Sequence, residues 1–107
     1  ILLDRIAGAR LTLCNGPDQR LGCQMDVEAR LRRAGRHSYV IPPGASDATG
    51  AMGYVDGASE LVAQSRALGI RPTYVLCAMA SGGMLAGLAA GFADQPARPV
   101  PTGVSVY

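Results

Sequence analysis

Hydrophobic positions along this chain change their spacing several times, and each change marks an element. Residues 74–79, Tyr-Val-Leu-Cys-Ala-Met, form an unbroken apolar run of strand length and predict a strand. Over residues 49–68, Met52, Val55, Leu61, Val62 and Leu68 recur with helical spacing, and Gly69 is placed to end that helix. Residues 82–93 predict a second helix, and residues 25–34 an arginine-faced one stopped by Gly35. Short apolar runs at 9–14, 38–41 and 102–107 predict three more strands, with a polar loop over 15–22 and Pro42-Pro43-Gly44 closing the second run. Alternation of strands and helices specifies an α/β fold with a largely parallel sheet.

Small residues refine this picture. Gly83, Gly87 and Gly91 recur every fourth position and share one helix face, which predicts close packing on a neighbour; Gly50, Gly53 and Gly57 predict the same for the earlier helix. Residues 74–93 carry no charge, so a membrane span must be considered. Ser81-Gly82-Gly83 interrupts the run, and residues 84–93 are rich in Ala and Gly rather than the large aliphatics that drive insertion, so no membrane partner is expected.

Composition excludes several functions. With 107 residues the chain is one small domain or a piece of a larger one, and its last residues, Val104-Ser105-Val106-Tyr107, read as a strand cut before its turn, so part of a longer protein is expected. Charged residues are 17% and the net charge is +2. Only Arg30, Arg32, Arg33 and Arg36 cluster, as a solvated helix face would, and Trp is absent; no nucleic-acid partner is expected. Three cysteines without CxxC spacing and without a signal peptide point to a reducing cytoplasm. Cys77 reads as a core thiol; Cys14 and Cys23 flank a loop, with a bridge between them the less favoured expectation. A single histidine, His37, rules out a multi-histidine metal centre, and no metal is expected.

Candidate chemistry lies where the strand at 74–79 meets the next helix. A strand that ends in a glycine pair and opens a helix leaves backbone N–H groups free above the helix N-terminus, where a phosphate monoester fits. The donors would be the amides of Gly82, Gly83 and Met84, with the Ser81 hydroxyl beside them. The loop matches neither GxGxxG nor GxxxxGK[ST], and tight packing is the alternative reading of the glycine pair. A second loop, residues 42–49, also comes directly after a predicted strand and is placed to converge on the first. In it Ser46 or Asp47 is suited to cap the next helix, and Gly44 to supply an unusual backbone conformation. All ten basic residues are Arg, so chemistry requiring a lysine, such as a Schiff base, is not available within the chain.

Three blocks together resemble the pyridoxal-phosphate enzymes of the D-cysteine desulfhydrase and 1-aminocyclopropane-1-carboxylate deaminase family. They are Leu2-Leu3-Asp4-Arg5-Ile6-Ala7-Gly8-Ala9, then the stretch from Tyr39 through Pro42-Pro43-Gly44-Ala45-Ser46-Asp47-Ala48-Thr49-Gly50 to Val55, then Ser81-Gly82-Gly83 with Ala86-Gly87-Leu88. The resemblance implies part of a tryptophan-synthase β-like two-domain fold, with residues 1–42 ending the small domain and 43–107 forming the middle of the large one. It implies pyridoxal 5′-phosphate as cofactor, its phosphate held at Ser81, Gly82, Gly83 and Met84. A small amino acid is the implied substrate, a homodimer the implied parent, and β-elimination to pyruvate, sulfide and ammonia, or deamination, the implied reaction.

Departures from the family pattern matter as well. Met84 stands where the family usually has a hydroxyl residue and Ala80 where it often has Gly, which removes one phosphate hydrogen bond worth about 1.5–3 kcal/mol, roughly tenfold or more in affinity. The implied lysine and substrate-carboxylate residues lie before Ile1, and the residues around the pyridine ring after Tyr107, so no catalytic residue is assigned in this chain and it is expected to be inactive alone. The stretch from Ser46 to Tyr54 matches the desulfhydrase pattern without a gap, whereas Asp47 leans toward the deaminases. Two alternatives stay open: a non-catalytic domain binding a phosphate or nucleotide, and a degenerate, truncated gene product.

Overall fold

The computed structural model describes residues 1–106, so Tyr107, the end of the strand expected at 102–107, lies outside the described residues. The chain divides into two compact units, Ile1–Val40 and a second beginning at Ile41.

In the first unit a short helix α1, Leu2–Ile6, is succeeded after an irregular stretch by a 3-10 turn at Pro17–Gln19 and helix α2, Arg20–Arg33. The chain enters α2 five residues ahead of the predicted start at Met25. Pro17, with its fixed φ, starts the turn that leads straight into the helix, and Gly22 is carried inside it. At the other end Arg30, Arg32 and Arg33 stand against the negative end of the helix dipole. Gly35 takes φ +69°, and the amides of Gly35 and Arg36 bond to the carbonyls of Arg32 and Leu31 at 3.0 Å, the double bond of a glycine-terminated helix. No residue of α1 or α2 is buried.

The strands expected at 9–14 and 38–41 do not form. A strand exists by its ladder, and neither run has a partner strand among the described residues; every residue in them is exposed except Cys14.

The second unit contains helix α3, Ala48–Ala67, strand β1, Tyr74–Met79, helix α4, Gly83–Ala93, and strand β2, Val100–Ser105. β1 and β2 are parallel, with Tyr74 opposite Val100 and Met79 opposite Ser105, and α4 is the crossover between them. The β1 prediction holds at both ends, while β2 begins two residues earlier than the pattern suggested. The core is Ala58, Leu88 and Phe92, with Tyr54, Leu61, Val62, Val75, Cys77 and Met84 packed around it.

Glycine makes the α3–α4 contact possible. A Cβ on Gly87 would come within 2.5 Å of the Ala51 carbonyl oxygen, and one on Gly91 within 2.7 Å of that of Val55, so the predicted stripe is the buried face of α4. The parallel expectation for α3 fails: Gly53 and Gly57 meet nothing, and Gly50 instead lies against Ala45, whose carbonyl occupies the space a side chain would need.

Only one face of the strand pair is covered. Val75, Cys77, Met79, Pro101 and Gly103 are half-buried, whereas Tyr74, Leu76 and Val104 are 63, 68 and 51% exposed on the other side. No helix of the described residues is long and apolar enough to cross a membrane.

Candidate functional site

At the carboxyl end of β1 the chain turns through Ala80-Ser81-Gly82 into α4. Gly82 adopts φ +86°, ψ −8°, a left-handed conformation that costs a side-chain-bearing residue about 1–2 kcal/mol. The first helical bond runs from the Ala86 amide to the Gly82 carbonyl at 2.9 Å. The amides of Gly83, Met84 and Leu85 therefore precede the ladder, at the positive end of the α4 dipole. No side chain caps this helix, unlike α3.

The second loop converges on this turn, as the sequence suggested. Pro43–Ala45 form a 3-10 turn in which Gly44 takes φ +69° and Ala45 φ +47°. A β-carbon on Gly44 would collide with the Ser81 hydroxyl, and one on Gly83 would lie 2.8 Å from the Ser46 hydroxyl and 3.2 Å from its Cα. The two backbones approach this closely because both positions are glycine. Across the gap the Ser46 hydroxyl donates to that of Ser81 at 2.5 Å.

Of the two capping candidates, Asp47 serves: its carboxylate accepts from the Gly50 amide at 2.7 Å. Ser46 is thereby free to reach Ser81, a pairing that the sequence reading missed because nothing local signals a contact across 35 positions. Met84 contributes differently from the other three site residues. Its side chain packs on the core, which leaves only its amide at the turn.

Taken together, this is a small cradle of neutral donors: three amides and the Ser81 hydroxyl, which accepts from Ser46, with glycine wherever a β-carbon would close it. It suits a phosphate monoester, whose oxygens accept from several amides at once. No cluster of three metal-ligating side chains exists among the described residues.

A concavity of about 500 Å³ lies at the opposite end of the strands, lined by Val62, Ser65, Arg66, Ile70, Arg71 and Pro99 among others. It adjoins the amino ends of β1 and β2, away from the carboxyl ends where open α/β sheets bind ligands, and it shares no residue with the Ser81 turn.

Relatives with assigned names extend the comparison. The chain is 39% identical over 100 residues to a 1-aminocyclopropane-1-carboxylate deaminase of a Methylobacterium species, covering 89% of this chain and 29% of that protein. To D-cysteine desulfhydrases of Yersinia enterocolitica and Serratia proteamaculans it is 36 and 35% identical, over 99 and 98% of this chain and 32% of each relative. It thus spans about a third of the length of the curated relatives it matches. Residues 1–107 also match, from end to end, the family model described as pyridoxal-phosphate dependent enzyme, and the chain belongs to that family.

Proposed function

We propose that this chain supplies the phosphate-holding turn of a pyridoxal-phosphate-dependent lyase or deaminase acting on a small amino acid. In this reading residues 1–42 end the small domain and 43–107 form the middle of the large domain of a cytoplasmic homodimer. The observation that carries it is the convergence of the Ser46 and Ser81 loops on the uncapped start of α4, in a chain of this family.

The cofactor, when bound, supplies an electron sink for the carbanion formed at the substrate α-carbon. Gly83, Met84 and Leu85 would hold its phosphate through their amides, with Gly82 turning the backbone to aim them. Ser81 would add a hydroxyl donor, and Ser46, hydrogen-bonded to it, would fix that hydroxyl's direction. The α4 dipole adds about 0.3–1 kcal/mol for an anion at this end. The chain offers no lysine, so catalysis rests on residues outside it and the chain alone turns over neither D-cysteine nor 1-aminocyclopropane-1-carboxylate.

Of the two branches, desulfhydrase is the favoured one. The gap-free match from Ser46 to Tyr54 supports it, and the opposing clue, Asp47, loses its weight because that residue caps α3. Asp and Asn serve equally at an N-cap, so the choice between them says nothing about substrate.

The test is calorimetric titration of the chain with pyridoxal 5′-phosphate and, separately, with pyridoxal. Binding that requires the phosphate and weakens in Gly83→Ala is the expected result. Equal binding of the two compounds, or no binding of either, overturns the assignment of the turn.

A further inference from the structure

Among the described residues Ala45 alone, glycines aside, has a positive φ, +47°. A β-carbon resists that conformation, and a residue stays in it only where its surroundings hold it. Three contacts do so here. The Ala45 amide donates to the Pro42 carbonyl at 2.8 Å, its own carbonyl accepts from the Asp47 amide at 2.9 Å, and that carbonyl fills the space a side chain on Gly50 would need. Asp47 in turn holds the Gly50 amide at 2.7 Å, so residues 45–50 are knotted to the start of α3. Ser46 leaves the knot at φ −83°, ψ 63°, the centre of an inverse γ-turn closed by the Ala45–Asp47 bond. From there its hydroxyl reaches Ser81 at 2.5 Å, and its Cα lies 3.2 Å from where a Gly83 β-carbon would be. The backbone of Ala45 therefore sets where residue 46 meets both Ser81 and the start of α4.

We infer that Ala45 is a positioning residue for the cofactor phosphate: its left-handed conformation seats Ser46 against the turn at 81–83 and fixes the spacing of the donors before the phosphate arrives. This rests on the phosphate-holding reading proposed above. Ala45 acts through Ser46, and what it contributes is a backbone conformation rather than a side-chain contact. A residue at position 45 that refuses a positive φ moves Ser46 off the turn, whereas one that accepts it leaves the cradle as it is, whatever its size.

The experiment compares Ala45→Gly, Ala45→Asn and Ala45→Val in the 107-residue chain. Asn and Val are close in size, but Asn enters the left-handed region readily and β-branched Val does not. Each variant is isotope-labelled for N–H correlation spectra and titrated with pyridoxal 5′-phosphate and with pyridoxal. In Ala45→Val the amide resonances of Ser81, Gly82 and Gly83 are expected to move while those of Gly87 and Gly91, in the α3–α4 contact, stay in place. The preference for pyridoxal 5′-phosphate over pyridoxal, as a ratio of Kd values, should fall about tenfold. Ala45→Gly and Ala45→Asn should keep both the resonances and, within about twofold, the preference. Should Val unfold the chain, Asn decides alone, because an Asn variant that loses the preference overturns the inference. Unmoved resonances at 81–83 in a folded Val variant, or an unchanged preference there, overturn it too and leave the phosphate reading standing. Equal binding of the two compounds by the unaltered chain overturns the phosphate reading and the role of Ala45 with it.

Discussion

The hydroxyl of Ser46 donates to the hydroxyl of Ser81 at 2.5 Å, tying the loop before α3 to the turn after β1 across 35 positions of chain. Both serines are exposed, so the bond's net worth is at the low end of the usual range of about 0.5–1.5 kcal/mol. In a double-mutant cycle of Ser46→Ala and Ser81→Ala, denaturant unfolding is expected to give a coupling of about 0.5 kcal/mol. Each single variant should also weaken pyridoxal 5′-phosphate binding, Ser46→Ala by less than Ser81→Ala.

Helix packing predicts opposite outcomes for two chemically identical changes. Gly91→Ala places a β-carbon 2.6 Å from that of Ala58 and 2.7 Å from the Val55 carbonyl, and is expected to destabilise by about 1–3 kcal/mol. Gly53→Ala meets nothing and removes a flexible residue from a helix interior, so it should stabilise by up to about 1 kcal/mol. Thermal melts of the two variants should move in opposite directions.

Met84→Thr is expected to separate affinity from stability. Thr carries its hydroxyl on the β-carbon, next to the residue 84 amide at the turn rather than at the core-packed end of the longer Met side chain, and is expected to raise phosphate affinity by about tenfold. The same change takes a thioether off the core around Leu88 and Phe92, so the melting temperature should fall. A rise in both would mean that the Met84 side chain contributes nothing to packing.

Asp47→Ala removes the cap of α3 and is expected to cost about 1 kcal/mol, whereas Asp47→Asn should cost little, since both residues cap well. Denaturation midpoints of the two variants measure the difference.

The neighbouring Cys14 thiol, ahead of burial and the charge of Asp26, raises Cys23 above the ordinary thiol range. In Cys14→Ala, Cys23 should therefore titrate at lower pH and react faster with iodoacetamide at any pH below its full ionisation. An unchanged pH–rate profile for alkylation of Cys23 would contradict the influence of Cys14.

The second unit was legible because its signals are local. The apolar run of β1, the glycines at the end of α3 and the start of α4, and the every-fourth-residue stripe of Gly83, Gly87 and Gly91 each specify structure within a few positions. The turn between β1 and α4 was legible for the same reason, since Gly82 and Gly83 come shortly after a strand. Residues 9–14 and 38–41 have strand composition, but pairing is a long-range property, and the pattern of a strand does not contain its partner. Gly50, Gly53 and Gly57 misled because spacing identifies a shared face without saying what faces it. Only the position of the Ala45 carbonyl shows why the first is glycine.

The uncovered side of the β1–β2 pair governs how this chain behaves in solution. Parallel strands are ordinarily covered on both faces, and here Tyr74, Leu76 and Val104 meet water. Sulfate and similar excluded salts strengthen every apolar contact without distinction. They tighten the core around Phe92 and, by the same thermodynamic term, favour molecules adhering through this face, so the salt range that best preserves the fold is also the one in which the chain is least soluble.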